Sequence, residues 1–156
     1  MTPAILLVRK ANIAHDVLSY KHDPAVESYG REAVDLLHLD PATVFKTLVA
    51  DADGVGLVCA VVPVLMMLDL KALADAVGAR RVRMADPAAA ERATGYVLGG
   101  ISPLGQKKQL PVVIDASALA VSRVHVSAGR RGLELSLAPL DLVKLARGRT
   151  WSIARA

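Results

Sequence analysis

Val44-Phe45-Lys46-Thr47-Leu48-Val49, then Asp51-Ala52-Asp53-Gly54, then the apolar run Val55 to Val62, is the stretch that decides the fold. β-Branched and aromatic residues pack well on a pleated surface, so the first block reads as a strand. The Asp-Ala-Asp-Gly segment is turn chemistry, and the run after it supplies the partner strand of a hairpin. Period-two alternation places Lys46 on one face with Val44 and Leu48, and Phe45, Thr47 and Val49 on the other. A lysine inside an apolar strand guards a sheet edge, carries its amine to the rim, or sits partly desolvated. In the last setting it can hold a phosphate or polarise an oxygen.

Upstream of the hairpin, Thr2 as cap and Pro3 at the first position open a helix to about Asn12. Asp16 to His22 reads as a strand, and Tyr29 to Leu39 returns to helical spacing. Downstream, Asp69 caps a helix with Leu70, Leu73, Ala74 and Val77 on one face, ended by Gly78. Arg80 to Met84 is a short basic strand, and Asp86-Pro87 starts a helix to about Ala93. Thr94 to Gly105 is a glycine-dense connector. Strands are expected at Val112–Asp115, Val121–Ser127 and Leu133–Leu137, the last two joined by a turn at Gly129-Arg130-Arg131-Gly132. Pro139 to Leu145 is a closing helix. The pattern implies one α+β domain over residues 1–156, with a curved sheet that is mixed or mostly antiparallel.

Composition narrows the function classes. The 156 residues are 53% hydrophobic and 22% charged, which excludes wholesale disorder. Five aromatic residues are too few for a stacking platform that binds single-stranded nucleic acid. The single cysteine, Cys59, excludes an intrachain disulfide and any multi-cysteine metal site, and its apolar neighbours mark it as a core residue. Val55 to Leu68 is interrupted by Gly56 and Pro63 and falls short of the ~20 residues of a membrane span. The N-terminal apolar run is too brief for a signal peptide, so a soluble cytoplasmic protein is expected. Residues 1–104 hold 10 basic and 12 acidic side chains, net −2, whereas residues 105–156 hold 9 and 3, net +6. Such asymmetry points to an anionic partner, with nucleic acid first, although ordinary solubility charge produces it too. There is no phosphate-binding Walker loop, no His-Glu-x-x-His and no Gly-x-Gly-x-x-Gly after a strand, and the four histidines lack ligand spacing.

Two further segments carry chemistry. Gly99-Gly100-Ile101-Ser102-Pro103 could let main-chain N–H groups cradle an oxyanion, or could be a plain connector. Ser127-Ala128-Gly129-Arg130-Arg131-Gly132 joins a hydroxyl, a flexible turn and two guanidinium groups suited to phosphate, or is a solvated hairpin turn.

Taken together, Phe45-Lys46-Thr47-Leu48-Val49, Thr94-Gly95-Tyr96-Val97-Leu98-Gly99-Gly100-Ile101-Ser102-Pro103-Leu104-Gly105 and Ser127-Ala128-Gly129-Arg130-Arg131-Gly132-Leu133-Glu134 resemble the YbaK family of aminoacyl-tRNA deacylases. Within it they resemble the Cys-tRNA(Pro) and Cys-tRNA(Cys) deacylase branch, essentially end to end. The resemblance implies a mixed, β-barrel-like sheet flanked by helices, related to the editing domain of prolyl-tRNA synthetase. It implies a cytoplasmic enzyme that cleaves mischarged aminoacyl-tRNA in trans without metal or cofactor, and prolyl-tRNA synthetase as a partner. By motif, Lys46 matches the family's essential lysine. Gly99, Gly100 and Ser127 join it as catalytic positions, and Tyr20, Thr47, Ile101, Ser102, Gly129, Arg130 and Glu134 fall at substrate-binding ones. The family often has aspartate where Glu134 stands.

An enzyme of this kind needs no nucleophile of its own, because cysteine on tRNA carries a reactive thiol. Held against its own ester carbonyl, that sulfur reacts intramolecularly, with main-chain N–H groups near Gly99 and Gly100 receiving the oxyanion. Lys46, as ammonium, would anchor the terminal adenosine's phosphate or orient the ester. Two other readings stay open: an Ala-tRNA(Pro) deacylase that positions a water, and a non-catalytic module that binds tRNA or a synthetase.

Overall fold

The computed structural model describes residues 1–26 and 29–156. Among the described residues five helices form: α1 (Pro3–Lys10), α2 (Tyr29–Leu37), α3 (Leu70–Val77), α4 (Pro87–Thr94) and α5 (Pro139–Ala146). The main strands are β1 (His15–Ser19), β2 (Phe45–Ala52), β3 (Gly56–Pro63), β6 (Val112–Asp115), β7 (Val124–Arg130) and β8 (Leu133–Leu137). Four shorter ones are β4 (Met67–Leu68), β5 (Val82–Met84), β9 (Arg149–Trp151) and β10 (Ala154–Arg155). The caps read from the sequence hold: the side chains of Thr2, Asp69 and Asp86 accept main-chain N–H groups of the first helical turn, and Gly78 ends α3 at φ +72°.

The expected hairpin is the centre of a five-stranded sheet in the order β5-β2-β3-β6-β9. β5, β2 and β3 are antiparallel, whereas β3-β6 and β6-β9 are parallel. A second sheet, β1-β8-β7, is wholly antiparallel. Its inner face, with Val124, Val126, Leu133, Leu135 and Leu137, packs with α1 and with Phe45, Val49, Cys59 and Val61 of the large sheet. The other face of the large sheet, with Ala50, Val58, Ala60, Val62 and Val113, is covered by Leu73 and Ala76 of α3 and by Leu68 and Ile153. Burial on both faces is why the run through β3 is continuously apolar.

The fold is therefore α+β with mixed sheets, as expected, but it does not close into a barrel. Among the described residues the two large sheets meet at a single parallel bridge, Val44 with His125. The strand expected at Val121–Ser127 begins at Val124, because Asp115 caps a 3₁₀ turn over Ala116–Ala120. β4, β9 and β10 went unread, being two or three residues long and too short for periodicity to register.

Asp115 pins the C-terminal segment. It is buried, and its carboxyl oxygens accept the main-chain N–H groups of Ile153 and Ala154, both at 2.9 Å, and of Ser117 at 3.2 Å. Asp115→Ala leaves those donors without acceptors and is expected to lower the unfolding free energy by about 3 kcal/mol. Hydrogen exchange at residues 153 and 154 should quicken with it; a loss under about 0.5 kcal/mol would contradict this role.

Candidate active site at the open edge of β2

β5 pairs only with Ala50, Asp51 and Ala52, so among the described residues no strand covers the same edge of β2 from Phe45 to Leu48. Val44 O accepts from Val64 N on the β3 side, whereas Val49 O accepts from Ala85 N on the opposite side. Main-chain groups alternate along a strand, so those of Phe45 and Thr47 face the bare edge. A cavity of about 470 Å³ opens against it. Both parities of β2, Lys46 and Leu48 as well as Phe45, Thr47 and Val49, line it, as an opening around a strand edge requires. The outer face of the second sheet closes the far side with Ser127 and Glu134, which lie directly opposite each other across β7 and β8.

Three glycines set the walls. Gly30 sits in α2, where a glycine costs about 1 kcal/mol against alanine, and a Cβ there would lie 2.0 Å from Val64 Cγ2. The helix and the turn that follows β3 meet closely only because that Cβ is absent. At Gly100 a Cβ would come 2.7 Å from Arg130 Cα, so the glycine connector lies directly on the β7–β8 hairpin. At Gly132, with φ +85°, a Cβ would meet the carbonyl oxygen of Tyr20 at 2.8 Å, and Tyr20 N donates to Gly132 O at 3.0 Å. This contact seats Tyr20 at the cavity.

The connector is held from beneath. Tyr96 Oη donates to Leu104 O at 2.7 Å, and Gln106 Nε2 donates to Ser102 O at 3.0 Å and to Cys59 Sγ at 3.1 Å. It is latched from above by Ser127 Oγ, which donates to Gly100 O at 2.9 Å, and by Arg131, which donates to Leu98 O at 3.0 Å. The expected turn at Gly129–Gly132 is instead a bulge followed by a tighter turn. Ser127 pairs with Glu134 but Arg130 pairs with Leu133, so Ala128 and Gly129 are extra residues on β7. A bulge re-aims the residues after it, and Arg130 reaches the cavity beside Ser127.

Of the residues read from the sequence, Tyr20, Lys46, Thr47, Gly99, Ile101, Ser127, Arg130 and Glu134 line this cavity. Gly100 and Gly129 line a smaller neighbouring recess with Val97 and Leu98. Ser102 is fully buried and accepts Leu104 N, so it shapes the connector from within and lies outside the cavity. The N–H of Gly100 donates to Val97 O at 2.9 Å and is not available to an oxyanion. Leu98, Gly99 and Ile101 are the connector residues that line the cavity. Sequence reading missed Gly30, Val64, Met84 and Gln106; of these only Gly30, a glycine inside a helical pattern, carried a signal.

The polar groups in the cavity are left incomplete. Lys46 has no hydrogen-bond or ion-pair partner among the described residues, and burial lowers its pKa from 10.5. Thr47 Oγ1 and Glu134 Oε2 are buried without partners. Glu134 is 7% exposed, and burial alone pushes its carboxyl up to about 8. Tyr20 is raised as well, first by burial, with further increments from Glu134 and Glu32. Cys59, by contrast, lies in the core with its thiol pushed up to about 11 by burial, which makes it a packing residue. Among the described residues no group of three or more His, Cys, Asp or Glu side chains could hold a metal ion, and no helix is long and apolar enough to cross a membrane.

A pocket that leaves a cation, a carboxyl and a hydroxyl unsatisfied beside a glycine connector is built to take a polar ligand end. The chain belongs to the aminoacyl-tRNA editing domain family, which it matches over residues 23–145. It is similar to a protein of Enterococcus faecalis that carries the name Cys-tRNA(Pro)/Cys-tRNA(Cys) deacylase EbsC. The two are 42% identical over 113 residues, which is 72% of this chain and 69% of that protein. Among solved structures it resembles one described as a trans-editing enzyme for prolyl-tRNA synthetase, at 22% identity and a TM-score of 0.81, covering 100% of this chain and 99% of that one. It also resembles a hypothetical protein at 21% identity and a TM-score of 0.88, over 99% of this chain and 100% of that one. At such identities the two structures establish the shared fold.

Glu134 makes stability depend on pH. Unburied, a glutamic acid ionises near 4.5; folded, this one keeps its proton up to about 8. Between those values the folded state binds the extra proton, so stability falls as pH rises through that window. Glu134→Gln removes the titration. Its melting temperature relative to wild type should climb steadily from pH 5 to pH 8; parallel profiles would contradict the assignment.

Proposed function

We propose that the chain, acting as one unit over residues 1–156, is a trans-acting deacylase of mischarged aminoacyl-tRNA, with cysteine on tRNA(Pro) as its main cargo. The observation that carries the reading is the half-buried ammonium of Lys46, without a partner among the described residues, beside the Gly99–Ile101 connector. Desolvating a lysine without a counter-charge costs free energy, and an anionic or strongly polar ligand end offsets it.

In this reading the terminal adenosine brings its ester to the open edge of β2. Lys46 orients the ester or its neighbouring phosphate, and Arg130 at the rim meets the phosphodiester backbone. The cysteine sulfur, as thiolate, attacks its own carbonyl. The tetrahedral oxyanion is received by connector N–H groups at Gly99 and Ile101, each such donor being worth roughly 3 kcal/mol. Collapse breaks the bond to the ribose oxygen, which takes a proton and leaves as free tRNA, while the acyl group departs as a thiolactone. The four-membered ring is strained, so proximity supplies less than the roughly 7–11 kcal/mol of an ideal intramolecular reaction. In this reading Lys46 acts as a cation; burial lowers its pKa from 10.5 and is the one cause of that shift. Ser127, whose hydroxyl is spent on Gly100, holds the connector in place; Tyr20, Thr47 and Glu134 complete the acyl and ribose surroundings, and Gly129 borders them from the neighbouring recess. The sequence similarity to EbsC, a protein named for Cys-tRNA(Pro) and Cys-tRNA(Cys) deacylation, supports the cargo. Prolyl-tRNA synthetase is the partner expected to supply tRNA selection in the cytoplasm.

Purified Cys-, Ser- and Ala-tRNA should separate the possibilities. Cys-tRNA is expected to be deacylated, Ser-tRNA to turn over at least about 100-fold more slowly because its hydroxyl is far less acidic, and Lys46→Ala to lose at least about 100-fold on Cys-tRNA. Equal rates on Cys- and Ser-tRNA would end the thiol mechanism. Rapid Ala-tRNA hydrolysis would favour a positioned water, and undiminished turnover by Lys46→Ala would remove the lysine from the chemistry.

A further inference from the structure

Resting on that reading, we propose that Glu134 is the residue that captures the α-ammonium of the aminoacyl group and so restricts the cavity to esters of free amino acids. The cavity holds two groups of opposite character that do not satisfy each other. Lys46 has no ion-pair partner among the described residues, and Glu134 Oε2, buried at the far wall, has no hydrogen-bond partner. A ligand that completes both must present an acyl oxygen or phosphate to one and a cation to the other. The end of an aminoacyl-tRNA has this composition, because the only cation near its ester is the α-ammonium. A fatty acyl or N-blocked ester would leave the carboxyl oxygen without a partner.

The fold makes Glu134 available for this. On β8 its neighbours Leu133 and Leu135 turn into the core, so alternation turns Glu134 to the other face, opposite Ser127 and Leu18. The titratable and charged groups around it are Tyr20 at the end of β1, Lys46 on β2, Arg130 and Arg131 on the hairpin, and Glu32 of α2. Glu32 is engaged elsewhere, with His22 Nδ1 at 2.6 Å and Asp23 N at 2.9 Å. In the free protein the carboxyl holds its proton near neutrality, since burial sets its pKa at about 8. When the ammonium arrives the carboxyl releases that proton to solvent and becomes the counter-ion; no other bond changes. A proton-bearing carboxyl keeps the empty cavity free of an exposed counter-charge that would draw Lys46 or Arg130 inward.

The test is a cycle of two substrates and two proteins. Cys-tRNA(Pro) is compared with 3-mercaptopropionyl-tRNA(Pro), which keeps thiol and ester and lacks only the amine. Wild type is expected to lose about 10- to 100-fold in kcat/KM on the deaminated substrate, the worth of one charge-assisted hydrogen bond. Glu134→Gln should lose about the same on Cys-tRNA(Pro) and then treat both substrates alike to within about threefold, while Glu134→Asp keeps most of the discrimination. Circular dichroism and melting establish that each variant is folded. Should Glu134→Gln not fold, the wild-type comparison and Glu134→Asp decide alone. Equal turnover of both substrates by wild type, or discrimination that survives in Glu134→Gln, overturns the inference while leaving the deacylase reading intact. If wild type deacylates no aminoacyl-tRNA, the deacylase reading fails and this inference falls with it.

Discussion

The arrangement rests on a strand left half-paired. β5 covers β2 only at Ala50–Ala52, and the main-chain groups of Phe45 and Thr47 face away from β3 toward a space that no strand of the described residues fills. An unpaired strand edge attracts whatever can hydrogen-bond to it, and proteins usually cover it, charge it or twist it away. Here the edge is walled in by α2, by the glycine connector and by the second sheet, so it becomes one side of a cavity. Lys46 follows from the same geometry: a residue on the edge of a buried sheet can have its stem packed and its amine in the opening.

What lines the cavity works against stability. Among the described residues, an ammonium and a Thr47 hydroxyl without partners, and a Glu134 carboxyl whose pKa burial raises, each make the empty protein less stable than an apolar lining would. Side chains that hold the scaffold are, by contrast, engaged. Asp115, Gln106 and Tyr96 each use their polar atoms on main chain that must not move, namely the C-terminal segment and the connector. The contrast between saturated scaffold and unsaturated pocket is itself the functional signal, since local conflict in an otherwise consistent fold marks the place where a ligand completes the bonding.

The sequence disclosed the central hairpin, the capped helices and the face on which Lys46 lies, because each is written in a short local pattern. It also disclosed the connector and the hairpin motif by resemblance to a family. It did not disclose which N–H groups the connector offers: the Gly100 amide is consumed by Val97, a fact set by the turn's geometry and not by its composition. Nor did it place Ser102 beneath the surface, or reveal the bulge at Ala128–Gly129 that turns Arg130 into the opening. Walls supplied by Val64 and Met84 come from distant parts of the chain with no motif of their own. The parallel pairing of β3, β6 and β9 was likewise invisible, as β9 is three residues long and its register is fixed by tertiary contacts.

The most direct test of the account is a crystal structure with 3′-deoxy-3′-(cysteinylamino)adenosine, in which an amide replaces the scissile ester. The ligand's acyl group should lie against the bare edge of β2, with Lys46 Nζ within hydrogen-bond distance of the acyl oxygen or the ribose and the sulfur turned toward the carbonyl carbon. A ligand bound elsewhere on the surface, or one seated in the cavity with Lys46 directed into solvent, would contradict it.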